Sequence, residues 1–131
     1  LRTSRGLGDV YKRQDYLLID MPPGTGDAYL TVCQKIVPDF VILVSTISKL
    51  SITDLKRSID VFESLNTKIL GIVLNNIHQS NDFQDFKLET ENVILDRIEF
   101  NKKFIDSSYP FDDLQLDSLF LNTVRAIKEY D

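Results

Sequence analysis

The 131-residue chain predicts an α/β fold, a partial and mostly parallel sheet flanked by helices. Three observations carry that expectation. Short apolar runs that are continuous rather than alternating suit strands buried on both faces, as in a parallel sheet. Between them lie segments with apolar residues at helical spacing. Strand and helix signals also alternate, the order of βα units joined by right-handed crossovers.

The elements follow in order from residue 15. Residues 1–14, LRTSRGLGDVYKRQ, have no clear period and are set aside as a non-native or disordered leader with the texture of a translated cloning scar. Asp15-Tyr16-Leu17-Leu18-Ile19-Asp20 predicts the first buried strand, stopped by Pro22-Pro23 because neither proline donates to a ladder. Residues 27–36 predict a helix with Asp27 as N-cap and Leu30, Cys33 and Val37 inward. Phe40–Val44 is the second strand. Ser51 is expected to cap the next helix, Asp54 to act as its capping-box acid, and Ile52, Leu55, Ile59, Phe62 and Leu65 to face the core.

Lys68–Leu74 predicts a third strand that ends at Asn75-Asn76. Residues 77–92 weaken into a polar loop, with a helical turn around 82–88, and Val93-Ile94-Leu95 make a short fourth strand. Asn101–Ser108 predicts one or two turns of helix broken by Tyr109-Pro110. The last helix, about 113–129, is capped by Asp112-Asp113 and buries Leu116, Leu119, Phe120, Val124 and Ile127.

Composition narrows the function. Net charge is −5, but residues 1–14 carry +3, which leaves −8 on the remaining 117 residues. An acidic body lacks the basic face that phosphate neutralisation needs, so nucleic acid is not an expected partner. A single cysteine, Cys33, provides no disulfide framework and points to a reducing, cytoplasmic setting. No apolar run approaches the ~20 residues that span a bilayer, so no membrane association is expected.

Ligands of parallel sheets bind outside the carboxyl ends of the strands. Three tips are therefore candidates: Asp20–Asp27, Ser45–Ser51 and Asn75–Ile77. An acid closing an apolar strand, as Asp20 does, suits a Mg²⁺ shell held through water. Gly24 leaves a bare backbone N–H able to approach a phosphate oxygen, and Gly26 adds a second permissive position.

The string DYLLIDMPPGTGDAYLTVCQ resembles the Walker B and switch II region of the Mrp/ApbC-type P-loop ATPases, in the wider group that contains MinD, ParA and the nitrogenase iron protein. The resemblance continues through VPDFVILVSTISKLSITDLKRSIDVFESLNTKILGIVLNN and covers residues 15–76. It implies ATP and Mg²⁺ as cofactors, a homodimer in the full-length parent, iron–sulfur client proteins, and ATP hydrolysis linked to iron–sulfur protein assembly. By that resemblance Asp20 matches the Walker B aspartate that holds the Mg²⁺ shell, and Gly24 the switch II glycine that senses the γ-phosphate. Asn75 matches an asparagine that contacts adenine. Asn101 lies where relatives often place an Asp near the base after an Ile-Pro pair, which here is Ile98-Glu99.

Two departures matter. No Gly-Lys-Ser/Thr loop appears in the chain, so residues 15–131 are expected to be the C-terminal part of the ATPase domain, inactive alone. Many relatives also carry a Cys-x-x-Cys pair that holds an iron–sulfur cluster between subunits; the corresponding stretch, IHQSNDFQDF, has no cysteine. Cys33 is therefore assigned to core packing, His78 to an exposed loop and Lys102-Lys103 to a solvated helix start. The chain's last residues lack the basic amphipathic face by which MinD-like proteins settle on membranes. A MinD/ParA-like partitioning or regulatory ATPase, or a nucleotide-free interaction module, is the alternative.

Overall fold

The computed structural model describes residues 15–21, 26–78, 91–104 and 116–130. Within them a three-stranded sheet runs in the order β1 (Val41–Ser45), β2 (Ile69–Ile77), β3 (Ile94–Glu99), every pairing parallel. Helices α1 (Asp27–Lys35) and α2 (Lys49–Ser64) cover one face, and α3 (Leu116–Leu119) and α4 (Leu121–Tyr130) cover the other. The α/β expectation holds.

β2 is the middle strand and the centre of the core. Ile72 and Leu74 are wholly buried with Leu43, Leu55, Ile59 and Phe62, and Tyr29 and Cys33 of α1 pack on the same cluster. Val73 points to the opposite face, where it meets Leu95 and Ile98 with Leu119 and Ala126 against them. This side-to-side alternation within an unbroken apolar run is what a strand covered on both faces requires.

The predicted first strand does not form. Residues 15–20 form no strand, and their side chains are exposed, Leu18 to 85%. A strand is defined by its neighbour: apolarity shows that a segment wants burial, but backbone N–H and C=O groups need a ladder partner to become a strand. Among the described residues none is offered, and the outer edge of β1 has no strand beside it.

Helix boundaries depart from expectation for local reasons. Gly26, not Asp27, is the N-cap of α1 and makes no side-chain cap bond. The inner face of α1 is Tyr29 and Cys33, four residues apart, while Leu30 and Val37 are exposed. Val37 adopts the left-handed region (φ 51°) just past the helix, and Pro38 follows.

Helix α2 starts two residues before Ser51, with Ser48 as N-cap accepting the Ser51 N–H at 3.2 Å. Asp54 is not a capping-box acid but lies 3.5 Å from Arg57 on the exposed side, a pair of little energetic weight. Leu55, Ile59 and Phe62 are buried as predicted, Ile52 packs at their margin, and Leu65 is the C-cap.

Two strands are longer than predicted. β2 continues through Asn75-Asn76 to Ile77, and β3 runs to Glu99, so Ile98 is buried core rather than loop. A 3₁₀ turn, Lys102–Phe104, stands at the start of the predicted 101–108 helix, whose remainder lies outside the described residues. The turn at 82–88, Tyr109-Pro110 and the cap Asp112-Asp113 lie outside the described residues.

The final helix is in two pieces with a turn at Phe120, and its inward residues are Leu119, Thr123 and Ala126; Phe120 and Val124 are exposed instead. The reason is Asp96. This buried carboxylate on β3 accepts the Thr123 N–H at 2.7 Å, the Asn122 N–H at 3.3 Å and the Asn122 side-chain amide at 2.9 Å. It satisfies orphan donors in the first turn of α4 and sets the helix phase from another element. Thr123 Oγ1, also buried, makes no hydrogen bond among the described residues, so these three donors carry the contact. At the far end, the Tyr130 hydroxyl donates to Asp39 O at 3.0 Å and its ring meets Phe40 edge-on.

Two outcomes follow for stability. Burial pushes the Asp96 carboxyl upward, but the bonds from Thr123 and Asn122 outweigh it and leave its pKa below the ordinary 3.8. A depressed folded-state pKa gives stability that is complete above the unfolded value and lost as pH falls through the folded one. Asp96→Asn is therefore expected to cost about 2 kcal/mol in urea unfolding at pH 7. The gap from wild type should close below pH ~3.8, the pKa at which an unfolded aspartate titrates. A deficit that stays constant with pH contradicts the assignment.

Gly71 is the second case. A Cβ there would lie 2.7 Å from Leu95 Cγ and 2.8 Å from Val93 O, the carbonyl that accepts the Ile72 N–H. Gly71→Ala should push β3 from β2 and cost about 1–3 kcal/mol. Gly26→Ala meets nothing within 4 Å and should stay within about 0.5 kcal/mol. Thermal unfolding of the two variants side by side checks the contrast.

Candidate functional site

All three strands point the same way, so Ser45, Ile77 and Glu99 mark one edge of the sheet, where ligands of such folds bind. The most structured corner of that edge is built by β2 and β3. Leu74 pairs with Arg97 and Ile77 with Glu99, so β2 advances three residues while β3 advances two. The extra residue is a bulge. Asn75 and Asn76 are exposed within it, Ile77 is buried again, and Asn76 takes the left-handed conformation (φ 58°). Asn is among the few non-glycine residues that tolerate that region, and bulges of this kind re-aim side chains at strand ends.

Past the bulge the two strands stay together. The Phe100 N–H donates to Ile77 O at 3.0 Å, which carries the ladder one residue beyond β3. His78 and Phe100 are thereby set side by side, their rings stacked at 4.4 Å between centroids and 24° between planes. Asn101 follows, exposed, with Oδ1 accepting the Lys103 N–H at 3.0 Å to open the 3₁₀ turn.

Asn75 and Asn101, two residues singled out from sequence, thus stand at the ends of neighbouring strands, Asn75 within the bulge of β2 and Asn101 two residues past the end of β3. His78 is exposed as expected but anchored at the end of β2 rather than adrift in a loop. Phe100 was not anticipated. The signal that points to it is positional: an aromatic residue immediately after a strand, in register with the residue after the neighbouring strand.

The Ser45–Ser51 tip is a hydroxyl network. Thr46 Oγ1 donates to Ser51 Oγ at 2.8 Å, Ser48 Oγ lies 2.8 Å from Ser51 Oγ, and Ser45 Oγ donates to Thr46 O at 2.9 Å. These groups satisfy one another and the start of α2. Their geometry accounts for a cap and for nothing more.

Asp20 is exposed at the end of residues 15–20, which belong to no strand among the described residues. Gly24 lies outside the described residues. Cys33 is half-buried, packed on the cluster around Phe62. A single packed cysteine does not fit an iron–sulfur cluster, which needs several thiolates. Lys102 and Lys103 are exposed in the 3₁₀ turn, as predicted for solvated residues. Among the described residues no helix is long and apolar enough to cross a membrane.

Known proteins place this geometry in context. An iron–sulfur cluster carrier protein of Rickettsia conorii is 52% identical over 61 residues, 47% of this chain and 19% of the relative. One from Rickettsia prowazekii is 50% identical over 64 residues, 49% of this chain and 20% of the relative. One from the archaeon Methanocaldococcus jannaschii is 48% identical over 68 residues, 50% of this chain and 23% of the relative. The chain spans about a fifth of the length of these curated relatives. The ParA family model described as NUBPL iron-transfer P-loop NTPase matches residues 7–92, beginning inside the segment set aside as a leader. Matched over more than half its length, the chain belongs to the NUBPL iron-transfer P-loop NTPase family.

Proposed function

We propose that this chain supplies the metal-side carboxylate, the switch and the base side of the Mg²⁺–ATP site of an iron–sulfur cluster carrier ATPase. What carries the proposal is the corner where the bulged end of β2 presents Asn75 and the end of β3 leads into Asn101. Two exposed amides at the carboxyl edge of a parallel sheet offer donors and acceptors to the rim of a purine base.

The residues present fit part of the bound group. Asp20 is an exposed carboxylate, an acceptor-only oxygen donor of the kind that holds a Mg²⁺ water shell. Bound Mg²⁺ would neutralise charge on the phosphate oxygens. Gly24 is assigned to sensing the terminal phosphate through its backbone N–H. The phosphate cradle, a Gly-Lys-Ser/Thr loop, is not in this sequence, so the chain by itself does not hydrolyse ATP.

The cluster is cargo rather than resident cofactor. Cys33 packs in the core, so no ligation of that cargo is assigned to this chain. Homodimerisation, transfer to iron–sulfur client proteins and a cytoplasmic setting belong to the same proposal, through the carrier function named for the relatives. Nucleic acid and membrane are not among the partners proposed. A regulatory or partitioning ATPase on the same fold is favoured by one observation, the absence of a Cys-x-x-Cys pair after β2.

The test joins residues 15–131 to the P-loop segment of another member of the P-loop NTPase family. The chimaera should bind and hydrolyse ATP, whereas the 131-residue chain should not. Asp20→Asn in the chimaera should lower turnover about 100-fold or more with nucleotide still bound. A folded chimaera without nucleotide affinity overturns the proposal, as does turnover indifferent to Asp20→Asn.

A further inference from the structure

We infer that β1 is an interface strand: its outer edge pairs antiparallel with the same edge of a second copy of this chain, joining two three-stranded sheets into one. The pairing goes beyond the proposed function and does not rest on it. Among the described residues β1 has a strand on one side only. The Val41 N–H donates to Lys68 O at 2.8 Å, toward β2, so strand alternation turns the N–H and C=O of Ile42 and Val44 to the open side.

The two outer edges of the sheet differ in chemistry. β3 carries Arg97 and Glu99, both exposed, and charges on an edge strand discourage pairing. β1, with the sequence VILVS, has no charge, no proline and no glycine. The register shift beside it places the extra residue, Leu70, on β2, so β1 itself is unbulged. Neither charge, proline nor bulge guards this edge.

Side chains and backbone parity fix the register. Val41 and Leu43 pack toward α1 and α2, whereas Ile42 and, by alternation, Val44 face the other side, where Val44 is 67% exposed. A two-fold axis through Leu43 sets Val44 of each copy opposite Ile42 of the other. These outward residues then form two hydrogen-bonded pairs, and the facing β-branched side chains cover Val44 from across the ladder. A slip of one residue would set outward backbone groups against inward ones.

Charge selects the direction. Asp39 stands before β1 and Lys49 after it, both exposed. Antiparallel pairing brings Asp39 of each copy to the Lys49 end of the other, whereas parallel pairing sets acid beside acid and base beside base. Complementary charges of this kind fix the orientation of an interface.

The experiment is sedimentation equilibrium of the 131-residue chain, with amide hydrogen exchange over the same concentration series. The expected result is one reversible step from 15.1 kDa to twice that mass, the Ile42 and Val44 amides gaining protection as the dimer fills. Val44→Lys should weaken the dimer about ten-fold, through the loss of two cross-strand pairs at once. Asp39→Lys should weaken it as well, and Asp39→Lys combined with Lys49→Asp should restore it. Leu18→Lys and Leu121→Lys, at exposed apolar residues elsewhere, should leave it unchanged. A chain that stays monomeric, or a dimer indifferent to Val44→Lys, overturns the inference. So does association relieved by Leu18→Lys, which assigns the contact to residues 15–20, or association that continues past the dimer, because a two-fold pairing uses up the edge. Should Val44→Lys fail to fold, the charge swap decides: failure of the double variant to restore the dimer overturns the pairing.

Discussion

Everything at the binding edge depends on β2, the one strand among the described residues with a hydrogen-bonded neighbour on each side. Its burial makes it so. Ile72 and Leu74 are completely covered, and each contributes about 1.5–3 kcal/mol by leaving water. Gly71 admits Leu95 and the Val93 carbonyl so closely that no side chain fits between the strands. A strand held this firmly fixes where its last residues emerge, and the bulge then converts that position into an arrangement of side chains. The site corner is thus an outgrowth of core packing, and the residues that shape it carry no chemistry themselves.

The fold was legible in sequence wherever burial and periodicity are local properties. β1, α2 and the core of β2 could be read from continuous apolar runs and from Leu55, Ile59 and Phe62 at helical spacing. Errors arose where a distant residue decides. The inward stripe of α4 is rotated from the apolar one because Asp96, on another element, seizes its first-turn N–H groups. Local apolarity favoured Val124 and Phe120; a buried carboxylate needing several donors outweighed it. The site was half legible. Asn75 stood out as a polar residue closing an apolar run, but the bulge that lets it share a corner with His78 is a relation between two strands, and no window of one strand contains it.

Segment 15–20 teaches the same point from the other side. Its composition is that of a strand buried on both faces, yet it is exposed and forms no strand, and among the described residues no strand lies along the outer edge of β1, where Val44 is exposed. An open strand edge is a template for pairing, and exposed apolar side chains gain by being covered.

This difference in construction divides the proposed nucleotide site into two unequal halves. The corner proposed for the base hangs from a paired and buried strand, so the backbone that carries Asn75 is set by the sheet before any ligand arrives, which lowers the ordering entropy that binding would bear. The metal side does not share that support. Asp20 sits at the end of residues 15–20, which are exposed and belong to no strand among the described residues, so no ladder of the sheet fixes the position of its carboxylate. Within the proposal, the base corner therefore rests on the sheet of the described residues, whereas the metal-side carboxylate has no such support among them.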